Sequence, residues 1–176
     1  MNNIKYILFL ILFSCGNSNK DSSVEIVQNT LEKDLAKYES IWNSFLSGDT
    51  SVANDNNFHK DVVVVTAQGD LVGLKAVKDF YMNYLNGFSD IEFTILDAFG
   101  QGERIVKHWN FKGTHTGNFF GIPATGNKLD LSGTTLVTMK DGKIAKEQDF
   151  FDMQSLILQL QKPSEDGVVV DDYTGI

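Results

Sequence analysis

Asp149 and Asp152 stand three residues apart near the C-terminus, in a stretch that reads as the end of a strand followed by a helix. A carboxylate on the wall of an apolar pocket can remove a proton beside a carbonyl when burial moves its pKa toward neutrality. Asp149, in the strand-like run 144–151, is the leading catalytic candidate. Its bland alternative is a solvated aspartate, or one paired with Lys107 or Lys146. Asp152 directly precedes the apolar periodicity of Leu156, Ile157 and Leu160, where a carboxylate caps the free amide of Gln154 or Ser155. That position assigns it to structure. His108 is the candidate partner for Asp149, provided both point to the same side of a sheet. Strand alternation puts His108 and Asn110 on one face and Trp109 and Phe111 on the other, without saying which lines a cavity. His115 and Phe119 share a glycine-rich segment, suited either to ligand contact or to holding a turn. Trp42, Tyr81 and Tyr84 fall on core-directed helix faces; such aromatics mostly pack, but with Trp109 they could also wall a pocket.

Other chemistries fit poorly. His59, His108 and His115 lack paired ligand spacing, so no metal site is expected, and no glycine motif opens a helix to cradle phosphate. No cofactor is expected. A net charge of −8 repels phosphate backbones and argues against nucleic acid as a partner. Arg104 is the only arginine, so no cluster can grip an anionic ligand. The expected ligand is a small, neutral, hydrophobic molecule.

The positioning elements follow from periodicity. Val27, Leu31, Leu35, Tyr38, Ile41, Trp42 and Phe45 recur at three- and four-residue spacing, one face of a long helix ended by Gly48. Val62 to Thr66 is a β-branched strand. Val77, Phe80, Tyr81, Tyr84 and Leu85 predict a second helix closed by Gly87. Strands follow from Ile91, over 105–111, over 129–139 and over 144–151, the last two joined by an Asp141-Gly142 hairpin. A short helix stopped by Pro163 and an acidic tail over 163–176 complete the chain; Val168 to Val170 could add an edge strand. This order predicts an α+β domain: a cone-like, curved, mainly antiparallel sheet with helices packed on one face and an apolar cavity between them.

The N-terminus has Lys5, an apolar run over 7–13 too short to span a bilayer, and then Ser14-Cys15. Leu12-Phe13-Ser14-Cys15 resembles the lipobox of bacterial lipoproteins, which implies cleavage before Cys15 and acylation of its sulfur. Cys15 is the only cysteine, so no intramolecular disulfide forms. Cleavage would remove one positive charge, Lys5. The expected organisation is a signal over 1–14, a lipidated tether over 15–25, a domain over 26–162 and the acidic tail. Localisation would be the bacterial cell envelope, with the membrane contacted through the lipid.

A second resemblance rests on Gly113-Thr114-His115-Thr116-Gly117-Asn118-Phe119-Phe120-Gly121-Ile122-Pro123-Ala124-Thr125-Gly126. This segment is similar to a loop of the SnoaL-like polyketide cyclases. Asp141-Gly142-Lys143-Ile144, then Asp149 and Phe151-Asp152, resemble that family's last hairpin and strand, and Trp109 falls where it usually carries tryptophan. The likeness spans residues 30–162. It implies the nuclear-transport-factor-2-like cone, and an acid/base role for the aspartate at the position of Asp149. There are departures: Gln148 replaces an aromatic, Glu147 a histidine of some cyclases, and Val65-Thr66-Ala67 ends a strand where relatives often place a histidine or aspartate. Two functions therefore stand open, a cyclase- or isomerase-type acid/base enzyme and a non-catalytic ligand-binding lipoprotein. A homodimer is expected, because a sheet bearing Phe93, Trp109, Leu136 and Phe151 has apolar residues beyond the face that helices can cover.

Overall fold

The apolar stripe near the N-terminus forms α1 (Ser18–Leu46) and buries Leu31, Tyr38, Ile41, Trp42 and Phe45 against the sheet. The structure, a computed structural model, describes residues 18–162. The signal, Cys15 and the tail with Val168 to Val170 lie outside the described residues. Backbone from Ser18 is already helical, so α1 takes in most of the segment assigned to a tether. Among the described residues no helix is long and apolar enough to cross a membrane.

A single 3-10 turn (Thr50–Val52) capped by Asp49 leads into β1 (Phe58–Thr66), β2 (Gly69–Val72) and α2 (Leu74–Gly87). Then come β3 (Phe88–Gln101), β4 (Arg104–His115), β5 (Lys128–Lys140), β6 (Lys143–Phe151) and α3 (Met153–Gln161). The six strands form one open sheet in the order β2-β1-β6-β5-β4-β3. Four neighbouring pairs are antiparallel, but β1 and β6 run parallel. The sheet is thus mainly antiparallel, as expected, and its one parallel pair among the described residues has a topological reason. Every other pair is closed by a hairpin or the 116–127 loop, whereas β6 meets β1 only after the chain has crossed the whole sheet.

Curvature comes from register breaks. β3 shifts against β4 between Ser89 and Glu92 and again between Ile95 and Asp97, with Asp90 at φ 51. Such bulges bend a strand and increase its twist. At the far hairpin Asp141 (φ 52) and Gly142 (φ 67) both take positive φ, the two-residue turn that matches strand twist.

The helices cover one face. Cluster one joins α1, α2 and β1 through residues such as Tyr38, Trp42, Phe45, Val62 and Val77. Cluster two joins α3 to β4 and β5 through Leu156, Leu160, Trp109, Leu129 and Leu131. α3 starts at Asp152, whose carboxylate accepts from Ser155 N at 3.0 Å, the cap expected of it. The four apolar sheet residues named from sequence divide between the two faces. Phe93, Trp109 and Phe151 pack inward, while register places Leu136 outward in a row with Phe99 and Val106. Leu96, Phe99 and Phe150 are about half exposed there, at 53%, 58% and 49%.

Candidate functional site

Alternation decides the site. On β4 the inward set is Ile105, Lys107, Trp109 and Phe111; on β6 it is Glu147, Asp149 and Phe151. Register then aligns Ala98, Lys107, Thr135 and Asp149 in one cross-strand row. The next row sets Trp109 opposite Gly133. Glycine is needed at 133, because a Cβ there would meet Trp109 Cζ2 at 2.3 Å and Phe150 O at 2.8 Å. With no side chain beneath it, the indole lies over β5 and its Nε1 reaches Thr135 Oγ1 at 2.9 Å.

Asp149 is held by neutral donors on both oxygens. Thr135 Oγ1 donates to Oδ1 at 2.5 Å, and Tyr81 Oη, from α2, donates to Oδ2 at 2.9 Å. Among the described residues it makes no ion pair, with Lys107 or with Lys146, which is exposed on the other face. Deeper in the same face lies Glu147, fully buried. Tyr38 Oη donates to its Oε1 at 2.5 Å and Trp42 Nε1 at 3.0 Å, both from α1, while Oε2 has no partner. Burial pushes the Glu147 carboxyl up to about 7; the charge of Lys107 opposes this and that of Asp149 adds to it. Burial lowers the Lys107 ammonium, with Glu147 and Asp149 pulling back up. Burial first, then the neighbouring carboxylates, holds Tyr38 and Tyr81 well above the usual tyrosine range, so both remain neutral donors.

A cavity of about 40 Å³, open to solvent, adjoins these groups. Trp42, Tyr81 and Tyr84 wall it from the helices and Phe93, Trp109 and Phe111 from the sheet, with Lys107 and Asp149 as the charged side chains. Trp42 and Tyr81 meet edge to face at 4.4 Å between ring centres, which fixes the α1–α2 side of the wall. The arrangement can bind an apolar molecule, orient a carboxylate against it and place one cation nearby.

Of the residues singled out from sequence, the structure brings together Asp149, Trp42, Tyr81, Tyr84 and Trp109. It separates the rest. His108 is exposed on the outer face, paired with Asp97 and Thr134, so it cannot orient Asp149. Strand alternation is the cause, since Trp109 takes the inward direction. His115 is fully buried behind the wall, its Nδ1 sharing a hydrogen bond with Thr125 Oγ1 at 3.0 Å. Burial lowers its pKa, and its backbone ties the 116–127 loop shut through Asn127 O and Gly126 N. Phe119 meets Tyr84 edge to face at 5.1 Å and Phe88 at 5.0 Å, supporting the wall from outside. Gln148 lies on the outer face opposite Leu136 and Val65, so its departure from the family's aromatic leaves the cavity unaltered. Sequence reasoning missed Lys107, Glu147, Thr135 and Tyr38. Lys107 precedes Trp109 by two, and Glu147 precedes Asp149 by two, so the same alternation would have found both once Trp109 and Asp149 were set inward. Among the described residues no group of three or more His, Cys, Asp or Glu could hold a metal ion.

A bent, open sheet that cups an aromatic cavity under two helices, with ionisable side chains on the sheet wall, defines an α+β ligand-pocket domain. The sequence profile described as SnoaL-like polyketide cyclase matches residues 35–160, and the chain belongs to that family. No curated protein matches it. Among solved structures it is similar to a SnoaL-like polyketide cyclase of Jannaschia sp. CCS1, with 17% identity and a TM-score of 0.70, covering 76% of this chain and 95% of that one. It is similar to IdmH, a polyketide cyclase of Streptomyces antibioticus, with 19% identity and a TM-score of 0.61, covering 72% and 97%. TerC, co-crystallized with polyporic acid, gives 17% identity and a TM-score of 0.59 over 74% and 99%. A protein of Catenulispora acidiphila with a ketosteroid isomerase-like fold has 17% identity and a TM-score of 0.57, covering 70% and 92%. At these identities the shared property is the fold.

Proposed function

We propose that the domain binds a small, mostly apolar carbonyl compound in this cavity and that Asp149 serves as its acid/base. The observation that carries this is the placement of Asp149, at the wall of an aromatic cavity and gripped on both oxygens by the neutral hydroxyls of Tyr81 and Thr135. These donors fix the carboxylate's direction, and no paired cation blocks it. A ligand whose α-carbon rests against Asp149 loses a proton to it without any cofactor. The co-crystallization of TerC with polyporic acid supports a small organic ligand for this fold. A second reading, binding without turnover, is supported by Glu147. It stands where some cyclases carry histidine, and Tyr38 and Trp42 engage it away from the ligand.

The test is α-proton exchange. Small ketones and 1,3-dicarbonyls are incubated with the protein in D2O and followed by NMR. Wild type should accelerate exchange, and Asp149→Asn should lower that rate by about 10²–10⁴-fold. Exchange that is indifferent to Asp149→Asn removes Asp149 as the base, and saturable binding without exchange supports the second reading.

The same proposal places the domain on a bacterial envelope membrane through acylated Cys15, a reading supported by the lipobox-like sequence. It also pairs two copies through the outer sheet face, supported by the half-exposed Phe99, Leu96 and Phe150 beside Leu136.

A further inference from the structure

Lys107 is the charged group that the acid/base reading leaves unused. It is 4% exposed, on the inner face of β4, and lines the cavity with Asp149. Its Nζ lies 4.9 Å from the Tyr38 ring centre, 5.2 Å from Phe93 and 5.5 Å from Trp42. Such rings stabilise a cation through their quadrupoles but leave its directional N–H protons without an acceptor. Among the described residues no carboxylate comes within ion-pair distance of Nζ, and no hydrogen bond takes up its protons. A buried ammonium with free donors is costly unless something satisfies them. The cavity is where that acceptor can come from.

We propose that Lys107 holds the ligand's carbonyl oxygen and the negative charge that forms on it, which makes the ligand class an enolisable ketone or 1,3-dicarbonyl compound. This rests on the Asp149 reading above. The carboxylate of Asp149 takes the proton from the carbon beside the carbonyl, and the C–H pair becomes a carbon–carbon double bond. The carbonyl π pair moves to oxygen, and the enolate oxygen accepts from Lys107 Nζ. Return of the proton from Asp149 to carbon closes the cycle, so no oxidant, reductant or co-reactant is consumed. The spacing suits this division of labour. Lys107 and Asp149 sit in one cross-strand row with Thr135 between them, about 10 Å apart along the sheet. A carbonyl and its α-carbon placed over Thr135 face one group each. Charge explains the need for Lys107. Proton transfer leaves Asp149 neutral and moves the negative charge to the ligand oxygen, where Lys107 is the cation that lines the cavity.

The experiment uses 4-nitrophenol, a flat probe whose phenolate resembles an enolate and absorbs at a different wavelength from its phenol. It is titrated near neutral pH into the full chain as wild type, Lys107→Met and Asp149→Asn, with thermal melts confirming that each is folded. Wild type should bind the phenolate. Lys107→Met should weaken it by about 10- to 100-fold, the usual worth of a hydrogen bond to a charged group, and shift any bound probe to the neutral phenol. Asp149→Asn should bind the phenolate more tightly, because a like charge is gone. Should Lys107→Met fail to fold, Lys107→Gln replaces it with the same expectation. A folded lysine variant that binds phenolate as wild type does, or a wild type that leaves the probe spectrum unchanged at millimolar concentration, overturns the proposal. Phenolate binding involves no proton transfer to Asp149, so this outcome is read separately from loss of α-proton exchange.

Discussion

Replacing Glu147 with glutamine should flatten the dependence of stability on pH between pH 4.5 and about pH 7. Burial behind Tyr38 and Trp42 raises this carboxyl from its ordinary 4.5 to about 7, so the folded protein keeps a proton that the unfolded chain releases over that interval. The stability it contributes is complete below pH 4.5, falls as pH rises, and is lost once pH passes the folded value of about 7. At about 1.4 kcal/mol for each pH unit between the two values, the total loss is about 3 kcal/mol. Glutamine keeps an oxygen for Tyr38 Oη and Trp42 Nε1 but cannot titrate. His115 acts in the opposite sense, because burial lowers its pKa below the ordinary 6.5 and makes stability rise with pH beneath that value. The quantity to plot is therefore the difference between wild type and Glu147→Gln, in which His115 and Asp34, a second carboxyl that burial raises, cancel. Urea unfolding followed by circular dichroism at closely spaced pH supplies it. The difference should change by about 3 kcal/mol in favour of the variant across the interval. A variant that keeps the wild-type slope would show that Glu147 is not the buried proton carrier, and the electrostatic account of the site would fail with it.

Asp152→Ala should cost about 0.5–2 kcal/mol of stability in thermal melts, by removing the cap on Ser155 N, while leaving α-proton exchange unchanged. Cys15→Ser should abolish labelling by a fatty-acid probe and leave the precursor uncleaved; unchanged labelling would sink the lipid anchor. Phe99→Asp combined with Leu136→Lys, both on the outer sheet face, should convert a dimer to a monomer in sedimentation at micromolar concentration, and a wild-type monomer would reject the pairing.

What could be read from sequence is what local chemistry controls. The stripe from Leu31 to Phe45, the Asp141-Gly142 hairpin and the Asp152 cap each depend on residues within a few positions of one another. β2 escaped because it has four residues on an edge, with no alternation to detect. The parallel β1–β6 pair escaped because partners 80 or more positions apart, such as Val63 and Lys146, leave no local trace. The site divides the same way. Alternation sorts β4 into Lys107 with Trp109 and His108 with Asn110, but only α1, by packing Tyr38 and Trp42 on the sheet, selects the inward set. Charged residues are normally solvated, so by residue type alone Lys107 and Glu147 belong outside a cavity and a histidine suits its wall better. Yet the choice that α1 makes excludes histidine from the cavity and brings in a lysine and two carboxylates together. Each of these alone on an aromatic wall would be an uncompensated charge. On the proposed mechanism they offset one another, because Asp149 gives up its charge as it takes the proton and Lys107 meets that charge where it forms on the ligand. On that proposal a ligand that is neutral before the transfer keeps the wall's charge balanced through the reaction, a second ground for a neutral ligand beside the single arginine of the chain.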